Sequence, residues 1–135
     1  QVALDKFIGY AYVAEHEGEL TAADAKKVLT AARECGVEAG RRILVKGKAV
    51  VTKEAAEVFA AEGIMLFGNE SQTVGPENAP KEVHLIMLGA EIVLLEGIRL
   101  KDVPVGKYFL HACPLNLGGA DGSPCRATLL EMEEK

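Results

Sequence analysis

The chain has no tryptophan, and aromatic residues make up only 5% of it. It also has no basic run, no zinc-finger spacing and no ladder of aromatic residues, and its formal net charge is −5. These features argue against binding to nucleic acid or to anionic lipid. The longest apolar stretch, Leu85–Leu95, is interrupted by Gly89 and Glu91, so it is too short to span a bilayer.

Cysteine is also scarce. The three cysteines, Cys35, Cys113 and Cys125, form no C-x-x-C pair. An odd number without a dense framework favours buried free thiols in a reducing compartment, with a Cys113–Cys125 disulfide as the alternative. Because the first residues do not resemble a secretory signal, we expect a cytoplasmic protein. The chain begins with Gln1 rather than Met, so we expect a fragment or a processed chain.

Apolar residues are abundant, at 49% of 135 residues, which predicts one compact domain over residues 1–135. Strands and helices are predicted to alternate and to end in a hairpin, which indicates an α/β fold with helices packed on a mixed sheet. The predicted elements are, in order, a strand Phe7–Ala14, a helix from Thr21 to Gly36, a strand Arg41–Lys46, a helix Lys53–Ala61 capped by Thr52, a strand Ile64–Phe67, a helix Pro80–Leu88, a strand Ile92–Leu95, and the hairpin strands Lys107–Leu117 and Cys125–Met132.

Three places could carry chemistry, because open α/β sheets bind ligands beyond the carboxyl ends of their strands. They are the loop Glu70–Thr73, Glu96 directly after an apolar strand, and His84 on the helix between them. Taken singly, His84 fits a satisfied, partly buried imidazole, and Glu96 fits a solvated strand end. Together, one imidazole and one carboxylate twelve residues apart suit zinc or manganese, with further ligands supplied from elsewhere.

Other possible motifs are weaker. The glycine-rich segment 118–122 precedes no helix, so a hairpin turn explains it better than a phosphate site. Ser71 lacks the G-x-S-x-G context of a nucleophile elbow. Cys113 and His111 lie two apart on one predicted strand, where packing is the simpler explanation for both.

Several stretches of the chain resemble the latter half of the cyclase / kynurenine formamidase-like family. The resemblance runs from about Leu4 to Leu130 and is densest after Gly63. The stretches that carry it are Val83–Ala90, Val93–Ile98, Asp102–Tyr108, Pro114–Leu115, Gly119–Pro124 and the loop Gly68–Val74.

The resemblance implies a swivelling β/β/α fold, incomplete at its amino-terminal end, that is often a homodimer. It implies a metal-dependent hydrolase of small amides or esters, such as N-formylkynurenine, with His84 and Glu96 as late metal ligands. Ser71, Gln72 and Asn116 become candidate substrate contacts from their loop positions. The family motif His-x-Gly-Thr-His-x-Asp-x-Pro, which would supply most ligands and the catalytic histidine, is absent from this sequence. The alternative is therefore a catalytically incomplete or metal-free domain that retains the fold and binds ligands or serves a structural role.

Overall fold

A computed structural model describes residues 6–71, 74–75, 80–114 and 125–131 of the chain. Of the helices in these ranges, none has both the length and the apolar character needed to cross a membrane. The elements are the strands β1 (Ile8–Glu15), β2 (Gly18–Leu20), β3 (Arg42–Lys46), β4 (Ala49–Val51), β5 (Leu66–Asn69), β6 (Val93–Leu95), β7 (Gly106–Pro114) and β8 (Cys125–Leu130), and the helices α1 (Ala22–Cys35), α2 (Lys53–Ala61) and α3 (Pro80–Gly89).

The main sheet of the described chain has six strands in the order β6-β5-β3-β1-β7-β8. Strands β1, β3, β5 and β6 pair in parallel, whereas β7 and β8 pair antiparallel. Short strands β2 and β4 form a separate parallel pair. The prediction of an α/β fold with a mixed sheet is therefore confirmed, and the carboxyl ends of the four parallel strands share one edge.

Residues on both faces of the sheet are buried, which explains the apolar runs within its central strands, such as Ile43-Leu44-Val45 of β3. Alternate residues of β1 and β3, such as Tyr12 and Ile43, pack with the helices in one core cluster. The intervening residues, such as Val13 and Leu44, belong to a second cluster on the opposite face. The segment after β6 contributes Leu100 to that second cluster, so it lies across the sheet there.

Helix α1 begins and ends where the sequence predicts. Thr21 caps its first turn by accepting a hydrogen bond from the backbone N–H of Asp24, and the Asp24 side chain accepts one from Thr21 in return. This capping box satisfies donors that the first helical turn leaves unpaired. The hydrogen bonds from the Thr21 backbone and side chain lower the pKa of the Asp24 carboxyl group. Gly36 forms the C-cap.

The main differences from the sequence prediction concern the strands, since most other element ends in the described residues agree to within about one residue. Strands β2 and β4 were not predicted, because three residues carry too little periodicity to be recognised. Strand β5 begins at Leu66 rather than Ile64, because Ile64 and Met65 connect α2 to the sheet before pairing with β3 starts at Arg42. The predicted turn 118–124 and the ends of its two strands lie outside the described residues.

Candidate functional site

The carboxyl edge of the parallel sheet collects the residues that the sequence singled out. Strand β5 ends at Asn69 and leads directly into Glu70 and Ser71. Strand β6 ends at Leu95 and leads into Glu96, while His84 lies on α3 between the two strands.

His84 and Glu96 reach the same level because α3 and β6 run in opposite directions. From His84 to the end of α3 is five residues, or about 7.5 Å along a helix axis. The chain then turns tightly, with the backbone N–H of Ile92 donating to the carbonyl of Met87 at 3.0 Å. From Val93 to Glu96 the strand returns by about 10 Å.

The two side chains converge. The Nε2 atom of His84 lies 3.0 Å from Oε2 of Glu96. The side chains are 27% and 32% exposed, so both are partly shielded yet open to solvent. The sequence spacing suggested this meeting, and the turn after α3 produces it.

The position of Glu96 is fixed by the loop that follows β5. The backbone N–H of Val74 donates to the same Oε2 atom at 2.8 Å. The N–H of Gly97 donates to the carbonyl of Ser71 at 2.8 Å, and that of Ile98 to the carbonyl of Asn69 at 3.1 Å. Within the described residues, Oε1 of Glu96 accepts no hydrogen bond, so the polar contacts of this carboxylate are all made by Oε2.

The pair fits part of a metal centre. A nitrogen and an oxygen each about 2.1 Å from one ion would lie about 3.0 Å apart at a right angle and about 3.4 Å apart at the tetrahedral angle. The observed separation of 3.0 Å falls at the near end of this range. In the part of the chain that the structure describes, no group of three His, Cys, Asp or Glu side chains could hold an ion. If an ion bound here, His84 and Glu96 would account for only two of its ligands, and the others would have to come from elsewhere.

The loop after β5 is anchored to the small sheet. The Ser71 hydroxyl donates to the carbonyl of Ala49 at 3.3 Å, and the amide of buried Asn69 donates to the same carbonyl at 3.3 Å. The N–H of Val51 donates to the carbonyl of Val74 at 2.9 Å. Ser71 therefore has a structural contact, and its predicted role in substrate binding stays a prediction. Gln72 and Asn116 lie outside the described residues.

Sequence reasoning placed Glu70 in a candidate loop but gave it no role. Its Oε1 accepts a hydrogen bond from the N–H of Gly47 at 2.6 Å, and its Oε2 accepts one from the N–H of Leu100 at 2.7 Å. One carboxylate thereby joins the turn after β3 to the segment after β6. The only signal in the sequence is an acid placed directly after a buried strand.

A cavity of about 400 Å³ lies beside Glu96 on the sheet face opposite the helices. Gly68 makes close packing possible there, because a Cβ on it would lie 2.8 Å from a methyl carbon of Leu44 and 3.0 Å from one of Ile98. Most of the residues that line the cavity are apolar, and Arg99 and Glu96 are its charged members. Its lining residues are Leu44, Glu96, Gly97, Ile98, Arg99, Leu100, Val103, Leu110 and Leu129.

Comparison with known sequences finds no matching family model but does find related proteins. The kynurenine formamidase of Sphingopyxis alaskensis is 40% identical over 83 residues, which are 61% of this chain and 40% of that protein. The kynurenine formamidase of Salinibacter ruber is 32% identical over 138 residues, covering 93% of this chain and 64% of that protein. That of Erythrobacter litoralis is 35% identical over 85 residues, covering 62% of this chain and 39% of that protein. The chain thus spans between 39% and 64% of the length of these relatives.

Two solved structures share the fold. One, described as a potential metal-dependent hydrolase with cyclase activity, superposes with a TM-score of 0.81 at 25% identity over 98% of this chain and 69% of its own. The other, a predicted metal-dependent hydrolase from Bacillus stearothermophilus, gives 0.75 at 24% identity over 94% of this chain and 65% of its own, which supports the fold alone.

The six-stranded mixed sheet and these superpositions define a cyclase-like fold of the kind found in metal-dependent hydrolases. Within this broad class of hydrolases, the three sequence relatives described above are all named kynurenine formamidase. Together, the sequence relatives and the shared fold support a cyclase-like, kynurenine formamidase-like family for this chain.

Proposed function

We propose that this chain is part of a metal-dependent hydrolase that cleaves a formamide of the arylformamidase type, with His84 and Glu96 as two of its metal ligands. One observation carries the proposal: the 3.0 Å approach of Nε2 of His84 to Oε2 of Glu96 at the carboxyl edge of the sheet. The names of the relatives and of the solved structures support the reaction class and the metal.

The donor set suits a divalent cation. A neutral imidazole and a carboxylate are ligands that zinc and manganese accept, and the carboxylate adds the negative charge that the cation needs. When bound, such an ion polarises a carbonyl and lowers the pKa of water toward neutrality. The remaining ligands and a catalytic histidine would have to be supplied from outside these 135 residues or by another chain.

The residues of this chain would position and shield the reaction. The N–H of Val74 keeps Oε2 of Glu96 in place at 2.8 Å, so the acid does not have to be ordered when the ion binds. The apolar cavity beside Glu96 offers space of about 400 Å³ for the hydrophobic body of an amide substrate. Burial of that body would exclude water from the reacting carbonyl.

The decisive experiment uses the full reading frame that contains this chain. We expect stoichiometric zinc or manganese by elemental analysis and turnover of N-formylkynurenine. His84→Ala and Glu96→Gln should both lower metal content and turnover. His16→Ala and Glu57→Gln serve as controls, because neither residue is hydrogen-bonded or ion-paired to His84 or Glu96. No bound metal and no turnover in the unaltered protein would refute the proposal.

A metal-free domain that retains the fold is the second candidate. It is favoured by the absence of a three-ligand group among the described residues. If it is correct, added zinc or manganese would not raise the melting temperature of the unaltered protein, and His84→Ala would leave the response to metal unchanged. Stabilisation by metal that both site variants abolish would exclude this candidate.

Three finer inferences accompany the main proposal: the ion is zinc or manganese, the enzyme is a homodimer, and it acts in the cytoplasm on a small molecule rather than on nucleic acid or membranes. Elemental analysis, sedimentation equilibrium and cell fractionation test them in turn.

A further inference from the structure

The guanidinium of Arg99 is the one cationic group among the described residues that line the apolar cavity. Arg99 lies between Ile98 and Leu100, whose side chains pack in the core cluster on this face of the sheet. The N–H of Ile98 donates to the carbonyl of Asn69 at 3.1 Å, and that of Leu100 donates to the Glu70 carboxylate at 2.7 Å. The backbone that carries Arg99 is therefore held on both sides.

Arg99 has no partner within the part of the chain that the structure describes. Its guanidinium makes no hydrogen bond, ion pair or contact with an aromatic ring there. Glu96 lies three residues earlier and lines the same cavity, but the two form no ion pair. Oε2 of Glu96 is engaged instead by His84 and by the N–H of Val74. Because Arg99 is exposed, its donors can exchange water for a ligand.

The lining of the cavity carries one positive and one negative charge, so it has no excess of positive charge by itself. The proposed function changes this balance, because a divalent ion at His84 and Glu96 would more than neutralise the carboxylate. A ligand in the cavity would then meet the ion beside Glu96, apolar side chains around its body, and the guanidinium of Arg99. Apolar walls lower the local dielectric constant, which strengthens the attraction between a guanidinium and an anion.

We propose that Arg99 is a specificity-determining residue that pairs with a carboxylate of the substrate. The preferred substrates are then aryl formamides that carry a carboxylate on the aryl body. A guanidinium donates two parallel hydrogen bonds to a carboxylate, and these are stronger than hydrogen bonds between neutral groups. The formamide is neutral, so Arg99 distinguishes the two ends of the substrate and leaves the formamide for the Glu96 side. The formamide assignment rests on the proposed function, whereas the pairing needs only the cavity and Arg99.

The first experiment compares formanilide with its three derivatives that carry a carboxylate ortho, meta or para to the formamido group. It uses the full reading frame that contains this chain. The isomers place the carboxylate at three distances from the formamide, so the assay itself finds the separation that suits Arg99. We expect kcat/KM for at least one isomer to exceed that for formanilide about tenfold, mainly through KM. Arg99→Gln should remove this preference, and Arg99→Lys should retain part of it, because lysine keeps the charge but not the paired donors.

The second experiment measures binding without turnover. The three aminobenzoates, which are the products of these isomers, are titrated calorimetrically at constant ionic strength, with aniline as the neutral counterpart. We expect at least one aminobenzoate to bind more tightly than aniline, and Arg99→Gln to weaken it about tenfold. The dependence on Arg99 should persist after chelation of the metal, because the ion takes no part in this contact.

Arg41→Gln is the matched control. Arg41 is exposed and directly precedes β3, so it lies at the opposite edge of the parallel strands from the segment after β6. It removes the same charge, and the melting temperature of every variant checks that the fold is kept. An equal loss of affinity in Arg41→Gln and Arg99→Gln would overturn the proposal, since the effect would then reflect net charge alone.

Two further outcomes separate this proposal from the proposed function. If none of the carboxylate-bearing ligands is bound or hydrolysed in preference to its neutral counterpart, the pairing at Arg99 is wrong, even if formanilide is hydrolysed. If no formamide is hydrolysed but an aminobenzoate binds in a manner that depends on Arg99, the proposed hydrolysis is wrong and the pairing at Arg99 is supported.

Discussion

Replacing Glu70 tests the two hydrogen bonds that join the turn after β3 to the segment after β6. In Glu70→Ala, the N–H groups of Gly47 and Leu100 lose an acceptor that lies 2.6 Å and 2.7 Å away, respectively. A hydrogen bond to a charged group contributes about 1.5–3 kcal/mol. Because Glu70 is only partly buried and water can replace part of the interaction, we expect a total loss of about 2–4 kcal/mol in the free energy of unfolding.

Glu70→Gln separates the two hydrogen bonds. The amide keeps one oxygen acceptor but turns an NH₂ group toward the second N–H, so the loss should be about half that of Glu70→Ala. Urea unfolding measures both values, and a loss of 2 kcal/mol corresponds to a fall of about 8 °C in melting temperature. Glu57→Ala on α2 is the control, because its side chain is exposed. A Glu70→Ala protein within about 0.5 kcal/mol of the unaltered protein, the range typical of surface substitutions, would show that this reasoning is wrong.

Four other predictions follow from local geometry. Thr21→Ala should lower the free energy of unfolding by about 1 kcal/mol, measured by urea unfolding, because α1 loses its cap. The pKa of Asp24 in the folded protein lies below its ordinary value of 3.8, so the stabilisation by this carboxylate is fully present above pH 3.8 and is lost as the pH falls through the lowered pKa. Asp24→Asn should therefore flatten this part of a profile of stability against pH in acid. An unchanged profile would contradict the lowered pKa of Asp24. Gly68→Ala should lower the free energy of unfolding by about 1–3 kcal/mol, because the added Cβ would have no room. Gly89→Ala has open space around it and should leave the stability unchanged or raise it slightly. Equal melting temperatures for the two variants would count against the packing described around Gly68. Spectrophotometric titration should find the Tyr108 pKa above 10.0, since burial disfavours the phenolate, and a value at or below 10.0 would contradict this.

The sequence predicts the helices best, because their ends carry local chemical signals. Thr21 with Asp24, and Thr52 before α2, are caps that act within one turn, so neighbouring residues are enough to identify them. The pairing of β2 with β4 joins residues about thirty positions apart, and three-residue strands are stable only through that pairing. Neither segment has a local sequence pattern from which this pairing could be predicted.

In the candidate site, too, one contact could be predicted from the sequence and another could not. His84 and Glu96 are separated by one helix, one turn and one strand, and their meeting follows from the lengths of those elements. The partners of Glu70 cannot be inferred so simply. They are backbone N–H groups, which every residue except proline carries, and they lie 23 and 30 residues away in opposite directions along the chain.

Val74 takes part in two hydrogen bonds that point to different places. Its carbonyl accepts the N–H of Val51 in the small sheet, and its own N–H donates to the Glu96 carboxylate. A displacement of β4 would thus be passed on, through a single residue, to the acid beside His84. Substitutions in a three-residue strand that contacts neither His84 nor Glu96 would for this reason shift the position of the Glu96 carboxylate relative to His84.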